Sequence, residues 1–185
     1  MRRSLRRHWF DMGEAGRSAV IYRTTSRLFI CTMALIKSLS FVLFADYHQF
    51  YLQDEQCDSD WADAWTDEAT SRMLAVAPGV VAVGTARNTH VPVLLELHDG
   101  EPEPDLDEWE RVMECGLDVK SDRIVIAGCT DYFPSAARVE VAAGLYRVRV
   151  SYAGLSSLSE DGLSGDDRYR VQLWLGQACA PRRLK

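Results

Sequence analysis

"VVAVGTARNTHVPVLLELH", residues 80–98, is the stretch whose reading decides the fold class. Two runs rich in valine and leucine, 80–86 and 90–98, flank Arg87-Asn88-Thr89. Short apolar, β-branched runs bounded by turn residues read as strands. Asn88 tolerates a left-handed backbone, so the stretch reads as a β-hairpin.

The pattern recurs along the chain. Glu110 to Val119 and "RIVIAG" (123–128) flank Lys120-Ser121-Asp122, a second expected hairpin. "ARVEV" (137–141) turns through Ala142-Ala143-Gly144 into "LYRVRVSY" (145–152), and "RYRVQLW" (168–174) closes the series. With a strand or strands within 38–53, the count comes to about seven or eight, a spacing that predicts a mainly β fold, an antiparallel β-sandwich or roll. Helical periodicity is scarce. One short helix is predicted over "WTDEATSRML" (65–74), with Thr66 as N-cap, Asp67 and Glu68 at the positive end of the dipole, and Ala77-Pro78-Gly79 as the stop.

Length and charge divide the chain. Residues 1–33 hold seven arginines against Asp11 and Glu14, a balance of +5; the whole chain is −6, so residues 34–185 carry −11. The expectation is an Arg-rich extension over 1–33, poorly ordered or loosely attached, with Met33 as the natural start. Residues 34–185 then form a single β-sandwich domain, long enough to bury a core. An acidic body argues against direct binding of nucleic acid, whose phosphates attract basic surfaces. The five cysteines show no C-x-x-C spacing, so neither a disulfide framework nor structural zinc is expected, and a cytoplasmic location fits. "LFICTMALIKSLSFVLFA" (28–45) is interrupted by Lys37, Ser38 and Ser40, and no transmembrane segment is expected there.

Chemistry-bearing residues concentrate in "FADYHQFYLQDE" (44–55). If this is strand, alternation puts His48 with Asp46, Phe50 and Leu52, and Tyr47, Gln49 and Tyr51 on the other face. His48 is then expected as a buried, hydrogen-bonded core residue. His90 and His98 share strand parity, but eight residues at about 3.3 Å each place them about 26 Å apart, too far to hold one metal. No nucleophile elbow or phosphate-cradling glycine loop occurs. Cys57 lies among acids, which quiet its thiolate. No enzymatic activity, metal or cofactor is expected.

Two segments are acidic and hold no Lys or Arg. Between 54 and 68 lie Asp54, Glu55, Asp58, Asp60, Asp63, Asp67 and Glu68, with Trp61 and Trp65. Between 99 and 110 lie seven more acids, with Trp109. The basic counterpart is a set of alternating arginines. Arg147 and Arg149, and likewise Arg168 and Arg170, would share one sheet face if their strands were neighbours. They read either as partners of the protein's own carboxylates or as a face for an anionic ligand.

Several of these pieces fall in a familiar order: "YHQF" (47–50), Gln53-Asp54, "WTDEA" (65–69), "GVV" (79–81) and "ARNT" (86–89). Over residues 46–97 the chain resembles the competence protein J family, whose founding member inhibits a DNA-entry nuclease. Tyr47, His48, Gln49, Phe50, Arg87 and Asn88 are its markers here. Beyond residue 97 only the layout of strands agrees, ending in Gly144-Leu145-Tyr146. The resemblance implies a small β protein that binds a protein, a basic nuclease, rather than catalysing a reaction. Such an inhibitor can fill a basic cleft with an acidic surface carrying aromatic anchors. Asp54, Glu55, Asp58, Asp60, Trp61, Trp65, Asp67, Glu68 and Trp109 are the residues expected on it. The alternatives are a β-sandwich binding a small anionic or carbohydrate ligand through Arg147, Arg149, Arg168, Arg170 and the Tyr47/Gln49/Tyr51 face, or an immunity protein against a toxin.

Overall fold

The computed structural model describes residues 34–185. The expectations for residues 1–33 lie outside them. Eleven strands form two sheets. In chain order they are β1 (Leu35–Phe44), β2 (Gln49–Asp54), β3 (Leu74–Ala77), β4 (Val80–Gly84), β5 (His90–His98), β6 (Arg111–Val119), β7 (Arg123–Gly128), β8 (Ala137–Glu140), β9 (Gly144–Ala153), β10 (Arg168–Leu175) and β11 (Arg182–Arg183). Sheet A has the order β1-β5-β10-β9-β6-β11, and sheet B the order β3-β4-β2-β7-β8. The fold is mainly β and sandwich-like, with more strands than the sequence suggests. Sheet A is mixed, because β10 runs parallel to β5.

Alternation builds the core between the sheets. From sheet A, Val91, Val93 and Leu95, Met113, Cys115 and Leu117, Val148, Val150 and Tyr152, and Tyr169, Val171 and Leu173 point inward. Sheet B answers with Phe50 and Leu52, Val81 and Val83, and Ile124 and Ile126. Full burial of one such side chain contributes about 1.5–3 kcal/mol.

The two expected hairpins, and the expected turn through Ala142-Ala143-Gly144, are corners between sheets. β4 belongs to sheet B and β5 to sheet A, so Arg87-Asn88-Thr89 crosses the end of the sandwich. β6 to β7 and β8 to β9 switch sheets in the same way. A hairpin and a corner both need a short polar loop between strands that face one core, so composition does not separate them. The tight hairpin lies elsewhere: Pro78-Gly79 joins β3 to β4, with Ala77 opposite Val80. The helix is shorter than its sequence pattern. Helix α1 spans Asp67–Arg72, with the Thr66 side chain accepting from Ala69 N, and Met73 ends it in the left-handed conformation (φ 57°). Leu74 already belongs to β3.

Both acidic segments are crossovers. β2 and β3 are not neighbours in sheet B, so residues 55–73 must step across its outer face. β5 and β6 are likewise separated by β10 and β9, and residues 99–110 step across the outer face of sheet A. Among the described residues, no helix is long and apolar enough to cross a membrane.

Candidate functional site

The family markers, scattered over forty positions of sequence, meet at one end of sheet B. Strand β2 begins only at Gln49; Tyr47 and His48 precede it in a 3-10 turn, both left-handed (φ 55° and 58°). Two consecutive non-glycine residues in that region cost on the order of 1 kcal/mol each and need an external hold. His48 N donates to Ala45 O (3.1 Å) and Asn88 Oδ1 (3.2 Å), and His48 O accepts from Thr85 N (2.8 Å). Asn88 of "ARNT" therefore clamps the backbone of "YHQF". The left-handed pair also breaks strand parity. His48 is exposed, which corrects its expected place in the core, and Tyr47 is 72% exposed. Phe50, two residues on, is fully buried. Arg87 forms an ion pair with buried Asp167, whose carboxylate also accepts from Tyr169 Oη. That marker serves the corner.

"WTDEA" reaches the same place. Trp65 Nε1 donates to Gln49 Oε1 at 2.6 Å, and Gln49 Nε2 approaches Cys129 Sγ at 3.5 Å. The Trp61 ring tilts against Tyr51, with centroids 5.4 Å apart. Trp61 and Trp65 are half-buried on the apolar patch that Tyr51, Ala75, Ala82, Val125 and Ala127 present on the outside of sheet B. Tyr47, His48, Gln49, Trp65, Met73 and Thr85 line a cleft of about 280 Å³ beside them. Burial, with Asp46 adding to it, pushes the Cys129 thiol up, so it is no ready nucleophile. The loop 129–136 adds Phe133 to the patch and leaves Tyr132 73% exposed at its rim. Sequence reasoning missed Tyr132 and Cys129. Nothing in "CTDYFPS" marks an exposed tyrosine as different from a buried one.

The acids divide by burial. Asp58, Asp60, Asp63, Asp67 and Glu68 are exposed along the crossover. Asp54 is not: it is 2% exposed, and Oδ2 accepts from Lys120 N, Ser121 N and Ser121 Oγ, each at 2.8 Å, while Oδ1 accepts from Gln56 N. It fastens β2 to the β6–β7 corner and leaves the expected partner surface. Glu55 is held by Arg138 (2.9 Å) and Arg123 (3.2 Å). Its hydrogen bond from Arg138 does most to hold its carboxyl below the usual range.

Trp109 and the second acidic segment lie on the other sheet. Strands β9 and β10 are neighbours, and Arg147, Arg149, Arg168 and Arg170 share the outer face of sheet A. The 99–110 crossover covers Arg149 and Arg170, while Arg168 stays exposed at the start of β10. Arg149 donates Nε to Glu114 Oε1 (3.0 Å), NH1 to Pro102 O (2.9 Å) and NH2 to Glu101 Oε1 (3.2 Å). Arg170 grips Asp105 with both terminal nitrogens. Arg168 and Arg170 lie over the Trp109 ring, 5.2 and 4.7 Å from its centre, and Trp109 is 7% exposed. Fully buried Glu114 joins Arg147, Arg149 and Arg182. Two corrections follow. Trp109 is an internal platform for arginines and not a partner anchor. Arg147, Arg149 and Arg170 are engaged by the chain's own carboxylates, so the arginine face does not stand open to an anionic ligand. Nor do the two acidic segments join into one surface, since each covers a different sheet.

No family model matches the sequence, and no curated protein matches it. Among solved structures the chain is similar to ComJ from Bacillus subtilis, an inhibitor of the DNA-degrading activity of NucA. The match has a TM-score of 0.59 at 20% identity, covering 79% of this chain and 100% of that one. The chain has the ComJ fold. It is also similar to the crocagin biosynthetic gene J protein, with a TM-score of 0.52 at 18% identity, covering 76% of this chain and 98% of the other. At these identities the ComJ likeness establishes the fold. It agrees with the resemblance carried by "YHQF", "WTDEA" and "ARNT", and the structure gives those motifs a common location.

Proposed function

We propose that the chain is a non-catalytic protein-binding module, formed by residues 34–185, that inhibits a DNA-degrading nuclease. The interaction surface is the outer side of sheet B. The observation that carries the reading is the placement there of Asp58, Asp60, Asp63, Asp67 and Glu68, all exposed, beside exposed Tyr47 and Tyr132. A cleft that holds a DNA backbone is basic, and a carboxylate-rich face competes for it while steering the encounter. Aromatic side chains supply the desolvated anchors that concentrate binding energy. The fold shared with ComJ, itself a nuclease inhibitor, supports the same reading.

The test is a DNA-degradation assay with a basic competence-type nuclease at low salt. The chain should suppress cutting at a one-to-one ratio, and the suppression should weaken as salt rises toward 0.5 M, where exposed charges are screened within about 4–5 Å. Undiminished cutting at low salt with excess chain rejects the proposal.

A further inference from the structure

We infer that the edge of the sandwich between α1 and β11 is a binding site for a phosphate-class oxyanion. A cleft of about 240 Å³ there is lined by Arg72, Arg111, Arg182 and Arg183. Glu68 is the one acid in its lining. In a body whose formal charge is −11, four arginines lining one cleft are no background basicity.

Their hydrogen bonds show what holds them. Arg72 Nε donates to Leu74 O (2.7 Å), Arg111 NH1 to Ser71 O (2.8 Å) and Arg183 Nε to Lys185 O (2.5 Å). Neutral carbonyls orient Arg72 and Arg111 without cancelling their charge. The Arg72–Glu68 pair is long (3.4 Å), and the Glu68 side chain is 86% exposed, so water screens it heavily. Among the described residues Arg111 forms no ion pair with a carboxylate. Arg182 differs, because its guanidinium is anchored on Glu114. Strand β11 carries Arg182 and Arg183 beside Glu114 and Met113 of β6, which sets them at the sheet edge facing α1.

Each guanidinium has five N–H donors in a planar fork, so one bond to a carbonyl leaves most of its capacity free. Like charges held together repel unless an anion sits among them. A carboxylate occupies a single fork, whereas a tetrahedral phosphate takes donors from several directions and carries up to two charges near neutral pH. Orientation by backbone also removes part of the ordering cost of binding. The site therefore takes inorganic phosphate or the phosphomonoester end of a larger ligand. It meets the acidic face only at Glu68, and its test reads different residues.

The experiment is a calorimetric titration of the full chain with inorganic phosphate, at ionic strength held constant with sodium chloride. Saturable one-to-one binding is expected. Loss of one charged donor should weaken it about tenfold or more in Arg111→Ala and in Arg183→Ala. Arg183 is exposed, so its variant keeps the test valid should Arg111→Ala fold poorly. Adenosine 5′-monophosphate and adenosine separate the sources. Tighter binding of the monophosphate than of phosphate assigns the end of a larger ligand, and the reverse assigns the free ion. Absence of saturable binding, equal affinity in the wild type and Arg183→Ala, or adenosine binding as well as its monophosphate would overturn the inference.

Discussion

Replacing Asp54 separates a residue of the fold from a residue of the surface. Its carboxylate accepts four hydrogen bonds, three of them on Oδ2 at 2.8 Å, and it is 2% exposed. In Asp54→Ala the Lys120 and Gln56 amides, both near the surface, turn to water at small cost. Ser121 N is buried and loses its charged acceptor, an unmade bond that costs about 1–3 kcal/mol, whereas Ser121 Oγ turns its single proton to Arg123 O, 2.9 Å away. Adding about 1 kcal/mol for the space left behind, the variant should lose about 2–4 kcal/mol. That is a large share of the roughly 5–15 kcal/mol typical of a domain. Asp54→Asn keeps one oxygen but points an amide N–H₂ at donors, and should lose about 2 kcal/mol. Urea unfolding followed by tryptophan fluorescence measures both. The midpoint should fall with the slope unchanged, because the surface exposed on unfolding is the same. A loss below about 0.5 kcal/mol in Asp54→Ala would refute the reasoning, since that is the size of a surface substitution.

Other expectations follow from the same contacts. Glu114→Gln leaves buried Arg149 without its carboxylate and should cost about 3–5 kcal/mol in urea unfolding. Burial works to raise the Glu114 carboxyl, but Arg182, Arg149 and Arg147 together outweigh it and hold it below the usual range. A depressed carboxyl stabilises the fold above its unfolded pKa of about 4.3 and loses that contribution as pH falls through its folded value. Wild-type stability should therefore drop below about pH 4 more steeply than that of Glu114→Gln, as read by melting temperature across pH 2–7. His48→Ala should change stability by less than about 0.5 kcal/mol, where a core position would lose several times that. Asn88→Ala, which unclamps Tyr47 and His48, should cost about 1–2 kcal/mol in the same measurement and weaken partner binding through the turn.

What sequence made legible was set by periodicity. Strands β5, β6, β9 and β10 announce themselves because their inward residues alternate with polar ones, and the shared face of Arg147, Arg149, Arg168 and Arg170 follows from the same period. Connectivity was hidden, since Arg87-Asn88-Thr89 and Lys120-Ser121-Asp122 suit a corner as well as a hairpin. His48 was misplaced because parity assumes one unbroken strand, and Tyr47 and His48 adopt a conformation that sequence alone gives little reason to expect of them. Asp54 and Asp58 look alike in a list of acids. Only the β6–β7 corner, brought against β2 from sixty-six residues away, makes one a buried acceptor and leaves the other in water. The acidic segments were found as charge, whereas their division between two sheets is a consequence of strand order.

Nuclease inhibition as a function of charge on one sheet is the most direct measurement. Asp58, Asp60, Asp63 and Asp67 changed together to Asn should lose no more than about 1 kcal/mol of stability, because Asp67 alone among them sits at the positive end of α1 and Asp60 alone makes a side-chain hydrogen bond, a cap on Ala62 N that Asn can keep. Inhibition at low salt should weaken by at least about tenfold, and the remaining inhibition should respond less to salt. Charge removal at Glu101 and Glu103 over sheet A should leave inhibition unchanged. Full inhibition by the sheet-B variant, or its loss only in the sheet-A variant, would contradict the placement of the partner surface.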